Sequence, residues 1–158
     1  MDKAIKALSV GEEDWSRVSG LHVRPHRPGD AGSFYEGFAL RGIQVDQIRP
    51  GSLTCTFKVP PRLTDRNGNL SVGAIANLVD EVGGAATSTE GTHMKVSVDM
   101  SISYMSDAKT DDELEISSKV LGNKGGFSGT HVIIKNRKNG EIVAEGRHTL
   151  FGNLRSKI

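Results

Sequence analysis

Apolar and polar residues alternate in short segments of the chain, which is the pattern of half-buried β-strands. The alternating segments, together with a looser one that precedes them, are 38–48, 53–59, 96–104, 114–120, 127–135 and 142–150. Turn residues lie between several of them: Pro50-Gly51, the glycines of 122–126 and Lys138-Asn139-Gly140. The pattern therefore predicts strands joined largely by tight turns.

One longer segment, 71–88, repeats its apolar residues at helical spacing instead. On a wheel that turns about 100° per residue, one stripe is apolar and should face a sheet: Val72, Ile75, Leu78, Val79, Val82, Ala85 and Ala86. The element order is then two strands, a helix and four strands. This order predicts an α+β fold in which an antiparallel sheet surrounds one central helix.

A second stripe of this helix places Asp80 among small residues: Gly73, Ala76, Gly83, Gly84 and Thr87. Each glycine costs about 1 kcal/mol relative to alanine in a helix interior, so another group must approach this face closely. Either a strand or a second subunit packs there and Asp80 is solvated at the edge, or the face is a ligand groove with Asp80 as its acid or base. The helix pattern alone leaves both readings open.

The start of the helix carries a second signal. Asn69 or Ser71 can serve as the N-cap, and the free N–H groups of Val72 and Gly73 can hold a developing oxyanion at the positive end of the helix dipole. Asp80 lies eight residues beyond Val72, which is about 12 Å along the axis. If these groups act together, Asp80 of one subunit must meet the helix start of another, which predicts a composite site at a two-fold interface.

Composition and charge narrow the function classes. The 158 residues carry a formal net charge of +1, which argues against a nucleic-acid partner, and no apolar run is long enough for a membrane span or a signal peptide. A polar arm, 1–35, with a short helix at about 4–8, precedes a domain over 36–158. No metal or cofactor is predicted, because the histidines lack metal-ligand spacing and Cys55 is a lone cysteine on a core-facing strand position. His148 is interpreted as a strand residue with satisfied hydrogen bonds.

Three segments, 63–80, 96–109 and 145–148, resemble the hotdog-fold acyl-CoA thioesterases, and within them the PaaI type that includes the small eukaryotic acyl-CoA thioesterases. The most specific part is SVDMSISYMSDAK at 97–109, and the resemblance covers about 37–152. It implies a hotdog fold that forms a homodimer and a dimer of dimers (a homotetramer), with active sites at the dimer interface and acyl-CoA as the substrate.

The resemblance also implies residue roles. Asp80 is the general base or nucleophile, Ser97 hydrogen-bonds its carboxylate, and the N–H groups of Val72 and Gly73 polarise the thioester carbonyl. The same resemblance assigns Asp65 to the catalytic set. The implied substrate-binding residues are Ser71, Tyr104, Ser106, Lys109, Lys124, Gly125 and Gly126, with the two lysines as phosphate partners.

The chain departs from the family pattern at two places. Ser71-Val72-Gly73 stands where family members commonly have His-Gly-Gly, so the backbone donor is kept and the histidine side chain is lost. Asp65 stands at a position that is commonly asparagine. A second carboxylate near Asp80 would repel it and raise one pKa if both were buried, and Asn67 or Asn69 can take the place of the missing amide.

These signals together predict hydrolysis of acyl-CoA thioesters to a free acid and coenzyme A. Two alternatives remain, a hotdog protein that binds acyl-CoA or an acyl ligand without turnover and a purely structural dimer. The acyl group, aryl or fatty, and the choice between water-mediated and covalent attack stay open. The ending Ser156-Lys157-Ile158 differs by one residue from a Ser-Lys-Leu peroxisomal address, which predicts a peroxisomal location and otherwise a cytoplasmic one.

Overall fold

The computed structural model describes residues 2–30, 32–91 and 95–152. By their internal contacts, the residues form two units, 1–38 and 39–158. The terminal tripeptide on which the peroxisomal expectation rests lies outside the described residues. The division into an arm at 1–35 and a domain at 36–158 stays a prediction of the sequence.

The first unit contains the short helices α1, Asp2–Leu8, and α2, Glu12–Ser19, and most of α3, Phe34–Leu40. Helix α1 confirms the helix predicted at about 4–8. The sequence reading did not include α2, which places three acidic residues in its first turn, where they complement the helix dipole, and pairs Arg17 with Glu13 at 2.5 Å.

Helix α3 corrects the prediction that the first strand begins at residue 38. Ser33 and Glu36 form a capping box, in which Glu36 Oε2 accepts from the Ser33 N–H at 2.6 Å and Ser33 Oγ accepts from the Glu36 N–H at 3.2 Å. The helix that starts there includes Phe38 and Leu40, and the chain then turns through Gly42, whose φ of +100° suits glycine. Apolar spacing alone did not separate this helix turn from the strand after it.

The second unit is a single antiparallel sheet with one long helix. Its strands are β1 Gln44–Arg49, β2 Ser52–Lys58, β3 Val96–Tyr104, β4 Glu113–Lys124, β5 Phe127–Asn136 and β6 Ile142–Phe151, in the spatial order β1-β2-β4-β5-β6-β3. Helix α4 spans Val72–Ser88 and follows a short 3-10 helix, Pro61–Leu63. The predicted order of strands and helix is confirmed, and so are the bounds of the central helix.

Helix α4 lies on the inner face of the sheet. Its buried residues, among them Leu78, Val79 and Val82, belong to one core with alternate strand residues such as Phe57 and Ile116. At Gly146 of β6 any side chain would overlap with Val79, so the backbone of this strand packs directly against the helix. This close approach fixes the height of the helix above the sheet.

The two edge strands are exposed. Val96, Val98 and Tyr104 of β3 are each at least half exposed on a nine-residue edge strand, which is an unusual apolar surface for an isolated chain. The β4–β5 turn is formed by Gly125 and Gly126, whose φ values are +58° and +89°, and this confirms the predicted glycine turn. Among the described residues, no helix is long and apolar enough to cross a membrane.

Candidate active site

Asp80 lies in the middle of α4 and meets the beginning of β3. Ser97 Oγ donates a hydrogen bond to Asp80 Oδ1 at 2.6 Å, and the Asp80 side chain is 41% exposed. A carboxylate that is fixed by a hydroxyl and still reached by solvent can accept a proton from a bound water. The structure therefore brings together these two residues of the predicted catalytic set.

A β-bulge turns Ser97 toward the helix. The register between β3 and β6 shifts between Ser97 and Asp99, so that Ser97 pairs with the buried Leu150 and Met100 pairs with the buried His148. Ser97 and Met100 thus share the inner face although they are three residues apart. Unbroken alternation would have placed them on opposite faces.

The prediction that His148 of β6 has satisfied hydrogen bonds is wrong. Its side chain is fully buried, its Nε2 lies 3.2 Å from Asp80 Oδ1, and neither ring nitrogen makes an aligned hydrogen bond with the described residues. Burial lowers the pKa of His148, and the nearby Asp80 carboxylate only partly opposes that shift. The site therefore holds a neutral imidazole beside the carboxylate at neutral pH, not a strand residue with satisfied hydrogen bonds.

Gly83 makes room for this imidazole. A Cβ at Gly83 would come within 3.0 Å of both His148 Nδ1 and Thr130 Oγ1, whereas at Gly84 it would meet Leu150 at an ordinary 3.6 Å. The side chains of His148 and Thr130 on the strands therefore explain why residue 83, one turn after Asp80, is a glycine. At Gly73 a Cβ would meet nothing within 4 Å, so the small-residue stripe is open at the helix start.

At the start of α4, Ser71 is the N-cap and its Oγ accepts from the Ala74 N–H at 3.3 Å. The Ser71 hydroxyl therefore caps the helix. Among the described residues, the N–H groups of Val72 and Gly73 donate no hydrogen bond, and the Val72 side chain is 64% exposed. Two backbone donors at the positive end of a helix can bind a carbonyl oxygen that gains negative charge.

Asp65 closes the loop that leads into this helix. Its Oδ1 accepts from the N–H groups of Asn67 at 2.8 Å and Asn69 at 2.9 Å, and its own N–H donates to the Asn69 carbonyl at 2.7 Å. This is the geometry of an Asx turn. The carboxylate that replaces the family's usual amide therefore holds the loop in shape.

The residues predicted to bind coenzyme A form two groups, near opposite ends of β4. Lys109 precedes β4, where its N–H donates to Asp112 at 2.8 Å and its Nζ donates to Asn69. Lys124 closes β4 beside the Gly125-Gly126 turn, about 35 Å away at 3.4 Å per strand residue. Tyr104 is half exposed at the end of β3, and Ser106 Oγ donates to the Ile142 carbonyl at 2.9 Å. One chain alone does not bring the two lysines together.

Comparison of the sequence with known proteins identifies a family. Human acyl-coenzyme A thioesterase 13 is 39% identical over 111 residues, which are 70% of this chain and 79% of the human protein. A model of the thioesterase superfamily matches residues 67–143. The chain belongs to the thioesterase superfamily. The resemblance found in the sequence and the assignment as a thioesterase are thereby confirmed.

Solved thioesterases share the fold. Zebrafish thioesterase superfamily member 2 is 34% identical, with a TM-score of 0.72 over 78% of this chain and 89% of that one. A hypothetical thioesterase protein of Streptococcus pneumoniae, solved with coenzyme A, is 25% identical, with a TM-score of 0.67 over 70% of this chain and 88% of that one. The predicted hotdog fold, a sheet around one central helix, is confirmed.

Proposed function

We propose that this thioesterase hydrolyses acyl-CoA to a free acid and coenzyme A, with Asp80 as the general base. The observation that carries the proposal is the Asp80 carboxylate held at 2.6 Å by Ser97 and flanked at 3.2 Å by the buried His148. The human relative is named as an acyl-coenzyme A thioesterase, and the streptococcal structure contains coenzyme A. Both support the choice of thioester.

In the proposed reaction, Asp80 takes a proton from a water molecule while the water oxygen attacks the thioester carbonyl carbon. The carbonyl oxygen becomes an oxyanion, which the N–H groups of Val72 and Gly73 stabilise. When the C–S bond breaks, the coenzyme A thiolate leaves with the proton that Asp80 received. The reaction consumes one thioester and one water and forms one carboxylic acid and one thiol.

The catalytic groups come from two chains in this proposal. Asp80 and the start of its own helix are about 12 Å apart along the axis at 1.5 Å per residue. A second copy that pairs with the exposed edge strand β3 about a two-fold axis covers Val96, Val98 and Tyr104, and it supplies the missing N–H groups. The functional unit is thus a homodimer, and we extend the proposal to a dimer of dimers.

The same pairing gives coenzyme A a continuous site. Antiparallel pairing of two β3 strands sets the end that leads to Lys109 in one copy against the beginning of β3 in the other. That beginning lies next to the β4–β5 turn through the pairs Val96–Phe151 and Phe127–Phe151. Lys109 of one chain then meets Lys124, Gly125 and Gly126 of its partner, where cations and open backbone suit phosphate groups.

Ser97 and His148 act through Asp80. The Ser97 hydroxyl fixes one carboxylate oxygen, and the neutral ring of His148 fills the space behind it and excludes bulk water. The exposed side of the carboxylate receives the nucleophilic water.

The decisive experiment measures thiol release from aryl, short, medium and long acyl-CoAs by the wild type and by Asp80→Asn. Removal of a positioned base should lower kcat by about 10² to 10⁴ while the thermal unfolding temperature stays close to that of the wild type. Asp46→Asn is the matched control, since this carboxylate accepts from Thr56 on the first two strands and is not part of the proposed site. An Asp80→Asn enzyme with wild-type turnover would refute the assignment of the base.

Binding of acyl-CoA without turnover is the second candidate, and Val72 favours it. Its side chain is 64% exposed at the helix start, where the family pattern has glycine and where the carbonyl is expected. Saturable binding of acyl-CoA by a folded dimer, with no thiol release across the whole panel, would select this candidate. Thiol release that depends on Asp80 would exclude it.

A further inference from the structure

Four polar side chains form a chain of hydrogen bonds beside the β4–β5 turn. Lys95 Nζ donates to Ser128 Oγ, which in turn donates to Asn123 Oδ1. Asn123 Nδ2 then donates to Glu90 Oε2 at 3.0 Å. We call these four residues the turn network. None of them belongs to the proposed catalytic set or to the residues predicted to bind coenzyme A.

A β-bulge in β4 turns Asn123 toward this network. The register between β4 and β5 shifts after Val120, so that Val120 pairs with the buried Thr130 and Asn123 pairs with the buried Ser128. Val120 and Asn123 therefore share the inner face of the sheet although they are three residues apart. Regular alternation would place the Asn123 side chain on the outer face, where it could not reach Ser128.

The turn network joins three parts of the second unit. Glu90 follows the end of α4, Lys95 precedes β3, and the two middle members lie on β4 and β5 next to their turn. Backbone encloses both ends of the network. A Cβ at Gly51 would lie 2.9 Å from Glu90 Oε1, and a Cβ at Gly152 would lie 2.8 Å from Lys95 Cγ.

The hydrogen bonds of the network all run in one direction, from a cation at one end to an anion at the other. Hydroxyl and amide groups in such a chain polarise one another, so each bond strengthens the next. Ser128 is the central member and is 1% exposed. Without its hydroxyl, the half-buried Lys95 ammonium would lose an acceptor and Asn123 would lose a donor, which is unfavourable away from bulk water. The network therefore depends on Ser128.

The β4–β5 turn is held at both of its ends. On the β4 side, the network fixes Asn123, the residue before Lys124. On the β5 side, the Gly126 carbonyl accepts from the Gly152 N–H at 3.0 Å, and a Cβ at Gly126 would come within 2.9 Å of the Gly152 carbonyl oxygen. A Cβ at Gly125 would meet nothing within 4 Å. Lys124 and Gly125 thus form an open tip between two fixed points.

We propose that Ser128 and Asn123 are positioning residues for coenzyme A, because the turn network holds the β4–β5 turn in the shape that receives the nucleotide phosphates. The proposal rests on the proposed function in taking this turn as part of the coenzyme A site. A loop that is fixed before binding loses less conformational entropy when the ligand arrives. The hydrogen bonds of the network do not involve Asp80, so the network acts on binding of the nucleotide and not on the chemical step.

The test titrates coenzyme A calorimetrically into the full-length wild type, Ser128→Ala, Asn123→Ala and Ser118→Ala. Ser118 is the matched control, a serine on the inner face of β4 that is 3% exposed and whose hydroxyl has no hydrogen-bond partner among the described residues. We expect Kd to rise about tenfold in the first two variants, the effect of losing about one charged phosphate contact, and to stay unchanged in the control. Asn123 is exposed, so Asn123→Ala carries the test if Ser128→Ala does not fold.

A second substrate separates positioning from a general effect on the fold. The KM for acyl-CoA should rise in Ser128→Ala and Asn123→Ala while kcat stays close to that of the wild type. The KM for the matching acyl-pantetheine, which lacks the nucleotide, should not change. Equal rises in KM for both substrates, or a lower kcat for both, would show that the network only supports the fold, and would overturn the proposal.

Failure of this proposal can be told apart from failure of the proposed function. Equal Kd values for coenzyme A in all four proteins would overturn the positioning role even if the wild type hydrolyses acyl-CoA. A wild type that releases no thiol but binds coenzyme A more tightly than Ser128→Ala would support the positioning role and refute hydrolysis. A wild type that does not bind coenzyme A would overturn both.

Discussion

Two buried residues, Gly83 and His148, determine the environment of Asp80. The glycine costs helix stability, and the histidine is buried without an aligned hydrogen bond. Each is unfavourable alone, but together they place an imidazole 3.2 Å from a carboxylate under the central helix. Functional sites typically contain such destabilising features, because a fixed arrangement of polar groups lowers the stability of the fold.

Gly83→Ala should destabilise the protein, because its Cβ would lie 3.0 Å from His148 Nδ1 and Thr130 Oγ1. We expect a loss of about 1 to 3 kcal/mol in the free energy of unfolding, measured by urea denaturation, together with reduced thiol release. Gly84→Ala is the matched control, with a 3.6 Å contact to Leu150, and its better helix propensity should stabilise the protein by up to about 1 kcal/mol. Equal effects of the two substitutions would contradict this account of the glycine pair.

His148 should make the folded state sensitive to acid. Its pKa is lowered from the ordinary 6.5 on folding, so below about pH 6.5 the unfolded chain binds a proton that the folded chain excludes. Stability conferred by the neutral ring is therefore complete above pH 6.5 and is lost as the pH falls toward the lower pKa of the folded state. Urea unfolding from pH 7.5 to pH 5 should show this slope in the wild type and a smaller one in His148→Gln. His22→Gln, at an exposed position, should keep the wild-type slope, and a slope unchanged in both variants would exclude His148 as its source.

At the scale of elements, the two edge strands of the sheet look alike by exposure but differ in role. Val98 of β3 and Val45 of β1 are 54% and 56% exposed. Only β3 carries Ser97 and lies beside the helix face that holds Asp80. The proposal therefore assigns the subunit contact to β3 and leaves β1 as a free edge.

Val98→Lys should separate the subunits, since a buried unpaired ammonium at an interface is strongly unfavourable. Light scattering coupled to size exclusion should report a monomer that retains its far-UV circular dichroism spectrum and has lost thiol release. Val45→Lys, a change of the same chemistry at nearly the same exposure, should remain an active oligomer. A Val98→Lys protein of unchanged mass and activity would place the subunit interface elsewhere.

The sequence predicted the elements whose pattern is periodic and missed the features that depend on three-dimensional packing. Helical spacing over 71–88 and strict alternation along the strands correspond directly to α4 and to β2 through β6. Helix α3 was missed because its capping box lies in a segment without clear periodicity. The prediction for His148 was wrong because alternation indicates which face a strand residue is on but not which residue it meets across the core. The bulge beside Ser97 could not be predicted, because the apolar residues around it still alternate in the sequence.

At the scale of the whole molecule, the proposed site exists only between two chains. Asp80 lies in mid-helix, whereas the free N–H groups lie at the first two residues of that helix. Lys109 and Lys124 show the same separation at opposite ends of β4. A single chain thus has every proposed group and no complete site.

Two inactive variants should therefore restore activity when they are mixed. Val72→Pro removes one proposed oxyanion donor and is tolerated at the first helical position, whereas Asp80→Asn removes the base. A mixed dimer contains one doubly defective site and one intact site, so random exchange of equal amounts should recover about a quarter of wild-type turnover. Unfolding and refolding of the mixture, followed by a thiol-release assay, measures the recovery. No gain over the separate variants would locate the complete site within one chain.

The bulge in β3 has a consequence for how this protein can change in length. Most insertions and deletions are tolerated in loops and harmful in strands because they disturb packing. Here the deletion of Val98 alone would remove the extra residue of the bulge and leave Ser97 two residues before Met100, still paired with Leu150 and on the same inner face as Asp80. Alignments of related chains should therefore contain chains that are one residue shorter between Ser97 and Met100 and still keep the serine.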